Sequence, residues 1–162
     1  MDIKTLNFIH SESEFNRASF RGFWEIVRNK LTRHDPYLIS FNQVIERLRL
    51  NSPVELGVQD IALKDIVGSV GRPKSFTRHF LPHITDKQGK ERWRTIYTLA
   101  VSGTGFPPIE VYKMGHVYFV TDGHHRVSVA HEVGQKEIDA HVSEWEVACP
   151  ILFRRPEMTK VC

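Results

Sequence analysis

Cysteine is scarce: only Cys149 and Cys162 occur in 162 residues. Two late cysteines cannot build a disulfide framework or a cysteine-rich zinc site, so they read as a small apolar residue and a terminal one. Long apolar runs are also missing. Nothing approaches the roughly 18 consecutive apolar residues of a membrane span, and Met1-Asp2-Ile3-Lys4 does not open a positively charged, then apolar, leader. The expectation is a cytoplasmic protein with no membrane partner. Neither charge sign dominates, with 22 Lys and Arg against 19 Asp and Glu and a formal net charge of +3. That balance suits an anionic partner without demanding one. Internal repeats and low-complexity stretches are absent. What remains is ordinary globular composition, 41% apolar and 25% charged, at a length that reads as one domain with a core of its own.

The chain divides by the period of its apolar residues. Residues 1–52 read as a helical hairpin. Ser11-Glu12-Ser13-Glu14 has the form of a capping box, and Phe15, Ala18, Phe23, Val27 and Leu31 follow at helical spacing. Asp35-Pro36 opens a second helix with Leu38, Phe41, Val44, Ile45 and Leu48 as its stripe, broken by Asn51-Ser52-Pro53. Phe15, Phe23, Val27, Phe41, Val44 and Leu48 give this hairpin two apolar faces, to pack on the rest of the chain or on a second copy in a homodimer. Residues 57–145 form a second unit. A strand spans Val58–Leu63, a glycine-rich loop Gly68–Pro73, a short helix Ser75–Phe80, and a longer helix Asp86–Gly103 with Trp93, Ile96, Tyr97 and Ala100 on one face. A strand hairpin, Ile109–Lys113 and Val117–Val120, leads to Asp122-Gly123, a helix from His125 to Val133, and a last strand Glu137–Val142. Residues 146–162 read as a tail. The fold class expected is α+β, a small mixed sheet with helices preceded by the helical hairpin.

The chemistry concentrates at Asp122-Gly123-His124-His125-Arg126. A strand feeding a glycine loop and then a helix offers free backbone N–H groups and the positive end of the helix dipole, a geometry that holds phosphate. Gly123 permits close approach of backbone to an anion. His124, His125 and Arg126 place cationic or titratable groups where an isolated helix disfavours them by about 0.3–1 kcal/mol, and a bound anion reverses that cost. Arg126 can supply a forked donor pair. The same residues also read as a surface loop with solvated histidines and Arg126 paired to Asp122.

Asp122-Gly123-His124-His125-Arg126-Val127-Ser128-Val129-Ala130, then Gly134 and the strand Glu137–Val142, resembles the ParB/sulfiredoxin superfamily. Ile61-Ala62-Leu63-Lys64-Asp65-Ile66 resembles its first strand, and Pro107-Pro108-Ile109 its Pro-Ile strand; the resemblance covers about residues 57–145. Sulfiredoxins carry a nucleophilic Cys where this chain has His124, so sulfinic acid reduction is excluded. ParB clamps bind CTP through a Gly-Glu-Arg-Arg loop and carry a downstream DNA-binding domain, for which residues 146–162 are too few. Archaeal free-serine kinases share Asp-Gly-His-His-Arg itself, but the carboxylate they carry after the first strand has no counterpart in Gly68-Ser69-Val70-Gly71-Arg72. The resemblance implies a nucleoside di- or triphosphate ligand. Its phosphates would lie at Gly123, His124, His125 and Arg126, with Ser69 and Arg72 from the glycine-rich loop as further contacts.

An enzymatic form of this reading is a nucleotide-dependent phosphotransferase or nucleoside triphosphatase. Asp122 and His124 would be its catalytic residues, His124 or His125 donating to the developing oxyanion, and Asp122 orienting a histidine or holding Mg²⁺ through the nucleotide. The competing readings are a DNA-associated ParB-like regulator or nuclease, and a non-catalytic interaction module on the same fold. Lys87, Lys90, Arg92 and Arg94 around Trp93 form the patch that DNA would use, with Arg154-Arg155 a weaker one. His79 and His83 have the spacing of two metal ligands on a helix, interrupted by Pro82.

Overall fold

A computed structural model describes residues 2–46, 48, 52–83, 86–147, 151–154 and 157–160; Cys149, Arg155 and Cys162 lie outside them. The chain runs α1 (Ile3–Leu31), β1 (Ile39–Ser40), α2 (Phe41–Ile45), β2 (Val54–Ala62), a 3₁₀ turn Leu63–Asp65, and β3 (Ile66–Ser69). It continues through α3 (Lys87–Val101), β4 (Ile109–Met114), β5 (Val117–Asp122), α4 (His124–Glu132) and β6 (Glu137–Trp145) to the pair β7 (Ile151–Arg154) and β8 (Glu157–Lys160).

Six strands form one mixed sheet in the order β1-β3-β5-β4-β6-β2. β4 and β5 pair antiparallel, as a two-residue turn at Gly115-His116 requires, whereas β3 lies parallel to β5 and β6 parallel to β4. β6 alternates strictly, burying Ile138, Ala140 and Val142 and exposing Glu137, Asp139 and His141; that is the mark of a strand with one face on the core. Those three side chains join Ile61, Ile109, Val111, Val120 and Val127 under α4. The opposite face is filled by Phe41, Val44, Met114, Val117 and Phe119. A third cluster, Phe15, Ala18, Trp93, Tyr97 and Val129, glues α1 and α3 to α4.

The α+β class and the mixed sheet agree with expectation; the N-terminal region departs from it in detail. In place of two comparable helices there is one of 29 residues and one of five, with β1 between them joining the sheet. Ser11 does not cap a helix: it lies within α1, buried, its hydroxyl donating to the Phe8 carbonyl at 2.5 Å. Asp35-Pro36 stays in a turn, where the Asp35 carboxylate accepts from the Tyr37 N–H at 3.0 Å. Residues 75–80 also form turns and bridges and no helix. The buried face of α1 is Ser11, Glu14, Phe15, Ala18, Glu25 and Ile26, while Phe23 is 52% and Leu31 80% exposed. Its polar members are satisfied in place: Glu25 accepts from Thr77 at 3.0 Å and meets His79 Nδ1 at 2.8 Å. Within residues 146–162, β7 and β8 pair antiparallel where a tail was expected.

Candidate functional site

Gly123 ends β5 and caps α4 with φ +100°. A Cβ there would lie 2.6 Å from Ile109 Cγ2 and 3.0 Å from Arg126 Nε, so glycine is dictated by backbone conformation and by the floor beneath the loop. Past it, the first-turn N–H groups of α4 have no partner within the helix. They open on a cavity of ≈ 420 Å³ whose walls include Arg72, Arg92, Asp122, His124, His125 and Arg126. A neighbouring cavity of ≈ 480 Å³ has Arg72, Arg92 and His125 in common with it.

The two histidines are not solvated loop side chains. His124 is 6% and His125 8% exposed. Phe76 stacks on His124 with ring centroids 6.2 Å apart and meets His125 edge-on at 5.4 Å. Burial, reinforced by the positive charge of Arg72, lowers the His124 pKa to about 4. Burial lowers His125 to about 4 as well, with Arg92, His124 and Arg72 adding to it. Both rings are therefore neutral near pH 7.

Ser69 ends β3, fully buried, with its Oγ 2.7 Å from His124 Nε2. The same oxygen accepts the Arg72 N–H at 2.9 Å. These two bonds tie the glycine-rich loop to the start of α4 and fix where Arg72 emerges. Ser69 thus acts on the site through Arg72 and His124. In contrast, Nε2 of His125 is buried with no hydrogen-bond partner, while the residue itself lines both cavities. A buried polar nitrogen without a partner costs about 1–3 kcal/mol.

Arg126 is already occupied. One terminal nitrogen donates to the Pro107 carbonyl at 2.9 Å and the Pro108 carbonyl at 2.6 Å; the other binds the Asp122 carboxylate. It pins the segment that leads into β4, so its truncation would strike the fold as well as any anion site. Asp122 is the one carboxylate lining the α4 cavity, and Arg126 shares it. That donor set does not fit Mg²⁺ held by the protein itself. Among the described residues no group of three or more His, Cys, Asp or Glu is placed to hold a metal; His79 is turned to Glu25 instead.

The basic patch around Trp93 divides. Trp93 is fully buried and donates to Ser128 Oγ at 2.9 Å. Lys90 pairs with Glu12 at 2.8 Å, and Arg94, buried, reaches the Phe8 carbonyl at 3.1 Å and Glu91 at 2.9 Å. Arg92 alone of the patch lines the α4 cavity. With Phe76, it is the site residue that the loop motif could not reveal, because its helix reaches the loop only through tertiary packing.

No family model and no curated protein matches the chain. Among solved structures it is similar to sulfiredoxin from Arabidopsis thaliana, at 17% identity and a TM-score of 0.39, over 54% of this chain and 84% of that one. Among the described residues no helix is long and apolar enough to cross a membrane.

Proposed function

We propose that this protein binds the phosphates of a nucleoside di- or triphosphate in the cavity at the start of α4. One observation carries the reading: the start of a helix, from Gly123 to Arg126, lines one cavity together with Arg72 and Arg92. Arg72 and Arg92, from the glycine-rich loop and from α3, supply positive charge to that cavity. Backbone N–H groups of α4 supply directional donors. Ser69 and His124 are positioning residues in this scheme.

The reading is one of binding. Ser69, which meets His124 Nε2, is itself fully buried, and Asp122 is paired with Arg126. The DNA reading loses Lys90 and Arg94 to α1 and Glu91.

The test is thermal unfolding with ATP, ADP, CTP and GTP, with and without Mg²⁺. A nucleotide at a hundred times its Kd adds about 2.7 kcal/mol of stability. Arg72→Ala and Arg92→Ala are each expected to remove most of that shift while changing the ligand-free midpoint little, since both side chains are exposed. Unshifted melting with every nucleotide at millimolar concentration would overturn the proposal.

A further inference from the structure

The phosphate cavity accounts for only one side of the wall formed by Arg72, Arg92 and His125. On the other side lies the larger cavity of ≈ 480 Å³. Its character differs from that of its neighbour. The α4 cavity is built from helix N-terminus, arginines and histidines. The second carries two rings, Tyr37 and His83, with centroids 6.1 Å apart, together with the amide of Gln88, the hydroxyl of Ser75 and the charged side chains of Lys74 and Asp86. It is far roomier than orthophosphate needs, and it falls in the range of cavities that enclose organic ligands.

Its walls are held in place independently of any ligand. The Tyr37 backbone bridges Thr77, and the Leu38 N–H donates to the Pro73 carbonyl at 3.3 Å. The His83 N–H donates to the Ser75 carbonyl at 2.9 Å. Gln88 sits in the first turn of α3, whose cap is Asp86 accepting the Gly89 N–H at 2.6 Å. Thus Tyr37 and the stretch from Lys74 to Gln88 converge on a cleft with two rings, the neutral groups of Ser75 and Gln88 and the opposite charges of Lys74 and Asp86, next to the proposed phosphate cavity. A ligand that is anionic at one end and planar and polar at the other fits the two together.

We propose that the second cavity receives the nucleoside half of the ligand. The base lies against Tyr37 and His83, and Gln88 faces its polar edge. The phosphates cross the shared wall, where Arg72, Arg92 and His125 contact them, into the α4 cavity. This deepens the phosphate reading and rests on it. It also makes a separate claim: affinity comes from both halves, so the protein distinguishes a nucleotide from inorganic polyphosphate of equal charge.

The experiment is calorimetric titration of the full chain with the four common ribonucleoside triphosphates and with inorganic tripolyphosphate. The best nucleotide is expected to bind at least about tenfold more tightly than tripolyphosphate, the scale of one base stacked on an aromatic side chain. In Tyr37→Leu the ratio of the two affinities is expected to collapse towards one. Should that variant fail to fold, Gln88→Ala at an exposed helix position is the second probe, and it narrows the same ratio and alters the preference among bases. Equal affinity of nucleotides and tripolyphosphate for the unmodified protein would overturn this inference and leave the phosphate reading standing. A wild-type ratio that both variants preserve would likewise overturn it alone. Absence of binding by either ligand would remove both.

Discussion

Acidification from pH 7 to pH 4.5 is expected to unfold this protein far more readily than its modest net charge suggests. His124 and His125 have pKa values lowered from 6.5 to about 4 in the folded chain. Below pH 6.5 the unfolded chain takes up protons that the folded one refuses, so stability is complete above 6.5 and falls as pH drops towards 4. At 1.36 kcal/mol per pH unit, each histidine accounts for roughly 3 kcal/mol of that loss. His131, lowered by burial and by His79, acts in the same direction. Urea midpoints measured at pH 7.5, 6.0, 5.0 and 4.5 give the slope, and His125→Phe, which keeps an aromatic ring against Phe76, is expected to flatten it. A midpoint that does not move between pH 7.5 and 5.0 would show that the rings are solvated.

The second large effect is expected at Gly68. It lies mid-sheet, facing Ile39 of β1 on one side and Phe119 of β5 on the other. An added Cβ would come closer than 3.0 Å to the Ile39 carbonyl oxygen and to the Phe119 ring. Neither neighbour can yield: one is backbone in a strand pair, and the other is fully buried against Phe41. Gly68→Ala is expected to cost about 3–4 kcal/mol, at the upper end for overpacking. Gly71→Ala, three residues on, meets nothing within 4 Å and should cost almost nothing. Equal unfolding midpoints for the two variants would contradict this packing. The site suffers with the sheet, because Ser69 next to Gly68 holds both His124 and the Arg72 N–H.

Residues 109–142 were legible from sequence because their elements are local. Two alternating strands, a glycine turn and a short helix each announce themselves by period, and they appear at Ile109–Met114, Val117–Asp122, His124–Glu132 and Glu137–Trp145. α1 was only half legible. Its buried face includes Ser11, Glu14 and Glu25, whereas Phe23 and Leu31 are exposed, so apolar spacing was right at Phe15 and Ala18 and wrong further along the helix. Glu25 belongs inside only because Thr77 and His79 meet it there, and no local pattern contains that information. The loop motif identified Gly123, His124, His125 and Arg126 as neighbours, but not their division of labour. That division depends on Ser69, Phe76, Arg92 and the Pro107 and Pro108 carbonyls, all brought in by tertiary packing.

The bond between Ser69 and His124 spans 55 residues of chain, and that from Arg94 to the Phe8 carbonyl spans 86. Contacts this distant close only after the ordering entropy of the intervening loops has been overcome. The Ser69–His124 link beside the α4 cavity is therefore expected to form late, once β3 has docked on β5. Stabilisation by a ligand of the proposed site is then expected as slower unfolding with the refolding rate unchanged, so an occupied site would lengthen the lifetime of the folded chain without hastening its birth.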